Sequence, residues 1–82
     1  MQYYTYILYS EKLDNYYIGS TGNLQDRLNK HNRSKKGFTS TGKPWALVYS
    51  EVFDSKAEAM AREMQLKNWK NRERFESLIK RN

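Results

Sequence analysis

Two tyrosines on neighbouring strand-like runs, Tyr6 and Tyr17, an arginine and a histidine one helical turn apart, Arg27 and His31, and a later helical glutamate, Glu63, are the side chains whose types and spacing could do chemistry. A phenol titrates near pH 10, so at neutral pH it accepts a proton only where nearby cations stabilise its phenolate. The forked donors of an arginine supply such a field and clamp an oxyanion through two bonds. A lone carboxylate holds a hard divalent cation weakly, leaving most ligand positions to water and substrate. Each residue also has a plainer use. Seven tyrosines in 82 residues fill core and strand faces, as aromatics with one wet end do. Arg27 and His31 read equally as surface helix residues, and Glu63 pairs with Lys67 at i, i+4, an arrangement worth roughly a few tenths of a kcal/mol.

The elements that must position these residues follow from hydrophobic period and turn chemistry. Tyr3 to Ser10 is aromatic, β-branched or Leu, Glu11 to Asn15 is polar, and Tyr16 to Gly19 is apolar again, which predicts a β-hairpin. Gly19 and Gly22 bracket Ser20 and Thr21 at a tight exit from the second strand. Asn23 is a suitable N-cap for a helix in which Leu24 and Leu28 share one stripe and Arg27 and His31 the next, so that the apolar pair docks and the polar pair lies at its edge. Asn32 to Lys43, rich in hydroxyls and basic residues with Gly37 and Gly42, reads as a mobile basic loop. Trp45 to Phe53 supplies a third strand, and Ser55 with Glu58 forms a capping box opening another helix. There Ala57, Met60, Ala61 and Met64 make a narrow apolar stripe expected to approach the sheet closely, with Glu63 on its flank. After a break at Asn68 to Asn71, Phe75, Leu78 and Ile79 mark a last helix. The expectation is one α/β domain over residues 1–82: a three-stranded antiparallel sheet flanked by helices, in the order β-β-α-β-α-α.

Composition narrows the function. With no cysteine and one histidine, neither a disulfide framework, a thiolate zinc site nor a histidine cage is available. No apolar run is long enough to span a membrane and no signal-peptide pattern opens the chain, so a soluble cytoplasmic protein without a membrane partner is expected. Fifteen Lys and Arg against nine Asp and Glu give a net charge of +6. Their placement is uneven: only Lys12 precedes residue 27, whereas Arg27, Lys30, Arg33, Lys35, Lys36 and Lys43 form a run without an acid, and Lys67, Lys70, Arg72 and Arg74 a second cluster. Such clusters favour a polyanionic partner, although solvated faces that keep a small domain soluble look alike.

Tyr4-Thr5-Tyr6 in the first strand, Tyr17-Ile18-Gly19 in the second, Asn23-Leu24 at a helix start, Arg27 ten residues beyond Tyr17, and the run Arg62-Glu63-Met64-Gln65-Leu66-Lys67 stand in one register. Together, from Tyr4 to about Ile79, they resemble the GIY-YIG nuclease family. The likeness is nearest to its small stand-alone bacterial members and more distant to the N-terminal domain of the excision-repair nuclease subunit. The first motif lacks its glycine and isoleucine, Ser20 stands where some members carry a lysine, and a late asparagine of some members has only Asn68 and Asn71 as candidates.

The resemblance implies a metal-dependent endonuclease that hydrolyses phosphodiester bonds in nucleic acid, DNA before RNA. Tyr6 or Tyr17 would help deprotonate the attacking water, Arg27 would stabilise the transition state, and Glu63 would hold the single Mg²⁺ or Mn²⁺ ion. His31, facing the same edge as Arg27, would hydrogen-bond a tyrosine or touch phosphate. Substrate contacts would fall to Lys30, Arg33, Lys35, Lys36, Lys43 and Lys67. No element resembles a sequence-reading helix, so specificity would come from nucleic-acid structure or from a protein partner. The departures keep a second reading open, a weak or inactive nucleic-acid-binding module on the same scaffold.

Overall fold

The computed structural model describes residues 2–33 and 38–80. Strands β1 (Tyr3–Ser10) and β2 (Asn15–Thr21) form the predicted hairpin, and Asp14 takes a left-handed conformation (φ 51°) in its turn. Helix α1 (Leu24–Arg33) follows, then a single turn α2 (Phe38–Thr41), strand β3 (Trp45–Phe53), and helices α3 (Lys56–Lys67) and α4 (Arg72–Lys80). Strand order is β2-β1-β3, with β1 antiparallel to both neighbours. The order β-β-α-β-α-α therefore holds, with α2 as an added turn.

The central strand is buried on both faces, and its alternation sorts the core into two layers. Tyr6 and Leu8 point to one side, where with Trp45 they receive Leu24 and Leu28 of α1. Ile7 points to the other, where it meets Tyr49, Leu66 and Phe75, with Ile18, Trp69, Leu78 and Ile79 around them. The α1 apolar pair thus docks as its spacing predicts. Its N-cap is also as expected, the Asn23 side chain accepting from the Asp26 amide at 3.0 Å.

Segment 32–43 departs from the expected irregular loop. Helix α1 continues through Asn32 and Arg33, and α2 forms at Phe38–Thr41. Two side chains pin this stretch. The Asn32 carboxamide donates to the Trp45 carbonyl (3.1 Å) and accepts from the Trp45 amide (2.6 Å), and buried Ser10 donates to the Gly42 carbonyl (2.6 Å). Lys35 and Lys36 lie outside the described residues.

Helix α3 begins at the predicted cap, where Ser55 Oγ accepts from the Glu58 amide at 3.2 Å. It does not dock by the predicted stripe. Ala57 and Ala61 are exposed, Met60 is 47 % and Met64 67 % exposed, and the buried positions are Ala59 and Leu66. The reason lies in what the sheet offers. Buried Thr5 donates to the Ala59 carbonyl (2.6 Å), Ser20 reaches Glu63, and Leu66, the helix's bulkiest aliphatic side chain, fills the core beside Ile7. Helix α4 with Trp69 covers the rest of that face, so the methionines are not required there. The rotation brings Glu63 from the flank of the helix onto the side facing the sheet.

Candidate active site

Strand β2 is an outer strand of the sheet, and the candidate residues gather along it. Tyr6 on β1 is paired with Gly19 on β2. A β-carbon built on Gly19 would lie only 2.6 Å from Tyr6 Cζ, so the phenol lies flat across the glycine and carries its hydroxyl towards the β2 edge. Any side chain at residue 19 would close that path.

Helix α1 covers the same face. His31, 8 % exposed, sits against both tyrosines: its Nε2 is 3.2 Å from Tyr6 Oη, and its ring meets the Tyr17 ring edge-on with centroids 4.6 Å apart. Burial, helped by the nearby positive charge of Arg27, holds the imidazole below its ordinary pKa, so it is neutral at pH 7. Burial pushes the Tyr6 phenol up to about 12, with Tyr17 and Glu63 adding to the rise and the Arg27 guanidinium opposing it. In the tautomer that leaves Nε2 unprotonated, the phenol of Tyr6 donates to it.

Glu63 arrives from the opposite face. Alternation along β2 turns Ser20 towards α3 while Gly19 and Tyr17 face α1, and Ser20 Oγ donates to Glu63 Oε1 at 2.7 Å. Lys67 Nζ lies 2.7 Å from Glu63 Oε2, and the carboxylate side chain is 19 % exposed. Tyr6, Tyr17, Arg27, His31 and Glu63 thus come to one edge of the sheet from four elements. Beside them a cavity of about 220 Å³ is lined by Ser20, Thr21, Arg27, Lys56 and Ala59, with Tyr3 and Gly22.

The donor set can be tested against a divalent cation. No cluster of three His, Cys, Asp or Glu side chains occurs among the described residues, which does not suit zinc. One ordered carboxylate next to a hydroxyl suits a hard, oxygen-preferring ion that takes its other ligands from water and substrate. Each Glu63 oxygen keeps a lone pair beyond its bond to Ser20 or Lys67.

The basic residues expected to touch substrate are dispersed. Lys30 is exposed and paired with Asp26 (3.5 Å), Arg33 donates to the Asn29 carbonyl within its own helix (3.3 Å), Lys43 is half-buried, and Lys67 is engaged with Glu63. Of the two asparagine candidates, Asn68 caps the C-terminus of α3 and Asn71 accepts from the Glu73 amide at the start of α4 (2.8 Å). Trp45 is buried, and Trp69 packs on Phe75 under the Arg74 guanidinium, which lies 4.2 Å from its ring centroid.

Residues 2–76 match the GIY-YIG catalytic domain. The chain belongs to the GIY-YIG family. It is 36 % identical over 81 residues to a UPF0213 protein of Staphylococcus haemolyticus, covering 98 % of both chains. A UPF0213 protein of Syntrophus aciditrophicus is 39 % identical over 68 residues, 80 % of this chain and 77 % of that one. The solution NMR structure of a UPF0213 protein from Bacillus halodurans superimposes with a TM-score of 0.59 at 33 % identity, covering 98 % of this chain and 84 % of the other. The GIY-YIG domain has a nuclease-type fold, its nucleases typically use a divalent metal, and the substrate class it implies is nucleic acid.

Sequence reasoning missed one member of this candidate site, Ser20, and named His31 without its burial. Ser20 carried only a departure from the family pattern, yet the period of two along β2 was the signal that it faces α3 when Gly19 does not. His31 follows Leu24 and Leu28 at i+7 and i+3, the spacing of a docked residue rather than of a surface one.

Proposed function

We propose that this protein is a metal-dependent endonuclease that hydrolyses phosphodiester bonds in nucleic acid, with DNA the favoured substrate. The observation that carries the reading is the meeting of Tyr6, His31, Arg27 and Glu63 at the β2 edge, which needs Gly19 between them.

Hydrolysis requires a water made nucleophilic, neutralisation of charge on the phosphoryl oxygens, and support for the departing oxygen. Arg27 presents its donors to the phosphate and stabilises the added negative charge. Tyr6 is too weak an acid, at about 12, to stand ionised in advance. Its hydroxyl instead takes the water's proton as its own passes to His31 Nε2. A P–O bond forms to the water oxygen, the opposing P–O ester bond breaks, and the leaving oxygen takes a proton from solvent. Arg27 then favours return of the imidazolium proton to water, since its charge holds the His31 pKa down. Glu63 would hold a divalent cation, which would supply positive charge against the negative charge that develops during cleavage. Tyr17 packs on His31 and fixes the ring's position.

The test is cleavage of supercoiled, single-stranded and branched DNA with Mg²⁺ or Mn²⁺ added. Loss of cleavage in both Glu63→Ala and Arg27→Ala is expected. Tight binding with no cleavage of any of these DNAs by the wild-type protein would sink the enzyme reading. The binding-module alternative rests on one contact, the Lys67 ammonium already seated on Glu63.

A further inference from the structure

Lys56 lines the same cavity as Arg27, and the mechanism leaves it unused. It is the first residue of α3, where a cation opposes the positive end of the helix macrodipole. Its charge therefore does nothing for the helix. Among the described residues Lys56 has no carboxylate partner, whereas Lys30, Arg62 and Lys67 each have one and Arg72 has two. No acid lines the cavity. Of its hydroxyls, that of Ser20 is committed to Glu63 and that of Thr21 to the amide and carbonyl of Asn23. Two cations facing a space of about 220 Å³ make an anion position.

Seven residues along α3 separate Lys56 from Glu63, an axial rise of about 10 Å. Lys56 and Glu63 share the side of the helix that faces the sheet, so a chain of phosphates passing Glu63 along α3 comes next within reach of the Lys56 side chain. We propose that Lys56, across the cavity from Arg27, forms a second phosphate-binding position that holds the backbone phosphate neighbouring the one Arg27 clamps. This rests on the nucleic-acid reading of the cleft. It also accounts for Ser20: where some family members carry a lysine on the second strand, this chain places a cation in the same cleft from the start of α3. A lysine is a point charge on a flexible stem, so the position fixes the strand's placement and reads no base.

The experiment measures binding of a short fluorescein-labelled DNA duplex by anisotropy, in chelator so that no cleavage occurs, across a salt series. Removing one phosphate contact should flatten the slope of log affinity against log salt by about 0.9. Lys56→Gln should therefore bind more weakly than wild type at low salt, with the gap narrowing about threefold between roughly 50 and 200 mM salt. Lys56→Arg should keep the wild-type slope, and Lys12→Gln, in the β1–β2 turn and lining a different cavity, should also leave it unchanged. Thermal unfolding of Lys56→Gln should be no earlier than wild type, because the substitution relieves the macrodipole. A Lys56→Gln slope equal to wild type overturns the phosphate position, even where Mn²⁺-dependent cleavage is intact. A flattened slope in a protein that cleaves nothing retains the position and overturns the nuclease.

Discussion

Gly19→Ala places a test of the site on a residue that does no chemistry. The added β-carbon would lie 2.6 Å from Tyr6 Cζ and 3.2 Å from Cε2, against carbon contacts of about 3.5–4 Å, so the end of the ring must retreat by about 1 Å. Tyr6 is 2 % exposed and packed among Leu8, Trp45 and their neighbours, so it cannot relax into solvent. Overpacking of this kind costs about 1–3 kcal/mol, a noticeable part of the roughly 5–15 kcal/mol that holds a domain together. The hydroxyl now 3.2 Å from His31 Nε2 would move outside hydrogen-bond range with the same displacement. A reacting group misplaced by about 1 Å loses on the order of 100-fold in rate. Urea unfolding and single-turnover cleavage with Mn²⁺ read the two effects separately. Gly22→Ala is the control for stability, since its β-carbon would stand 3.6 Å from Tyr3 Cε1, an ordinary contact. Equal stability of the two variants, with Gly19→Ala cutting DNA at the wild-type rate, would refute the claim that Tyr6 reaches the β2 edge across this glycine.

The corrected face of α3 and the burial of His31 lead to two more expectations. Leu66→Ala, at a fully buried position, should cost about 2–5 kcal/mol in urea unfolding, while Met64→Ala, 67 % exposed, should stay within about 0.5 kcal/mol of wild type; the reverse ranking would restore the methionine stripe as the docked face. The folded state holds the His31 pKa below its ordinary 6.5, so the unfolded chain takes up this proton first. Its contribution to stability is complete above about pH 6.5 and is lost as pH falls through the lowered folded value. The difference in urea midpoint between wild type and His31→Gln should therefore shrink on acidification through that window. Cleavage should fade over the same range, because a protonated imidazole cannot accept from Tyr6.

Most of the framework was legible because its signals are local. The hairpin, both helix caps and the third strand depend on residues within a few positions of one another, and the period along α1 named Leu24 and Leu28 as its docked pair. Helix α3 docks by a face other than the expected stripe because its composition favours one face and its contacts with the sheet another. Ala57, Met60, Ala61 and Met64 outnumber Ala59 and Leu66, but Thr5 and Ser20, more than forty residues away in the chain, supply the polar contacts that choose between them. The irregular composition of 32–43 similarly hid the Asn32–Trp45 pair of hydrogen bonds, which no local pattern encodes. The motif residues were found by register and the Lys67–Glu63 and His31–tyrosine contacts by helical spacing, while the Ser20–Glu63 bond was not.

The serine following Tyr-Ile-Gly illustrates how a departure from a family pattern can be read two ways. Viewed only as a missing lysine, Ser20 removes a cation that would favour the phenolate. Its position on β2 gives it another task, because side chains of successive residues on a strand face opposite layers. Gly19 leaves room for Tyr6 on the α1 side, and Ser20, one residue on, restrains Glu63 on the α3 side through a 2.7 Å hydrogen bond. A lysine there would put an ammonium against a carboxylate that already has Lys67 at 2.7 Å. Two ammonium groups on one carboxylate would compete directly with any divalent cation for its oxygens. With Ser20 neutral and Lys56 seven residues before Glu63 on α3, positive charge stays in the cleft for phosphate while one Glu63 oxygen faces only a hydroxyl. That arrangement leaves Lys67, not Ser20, as the charged group that competes with a cation for Glu63.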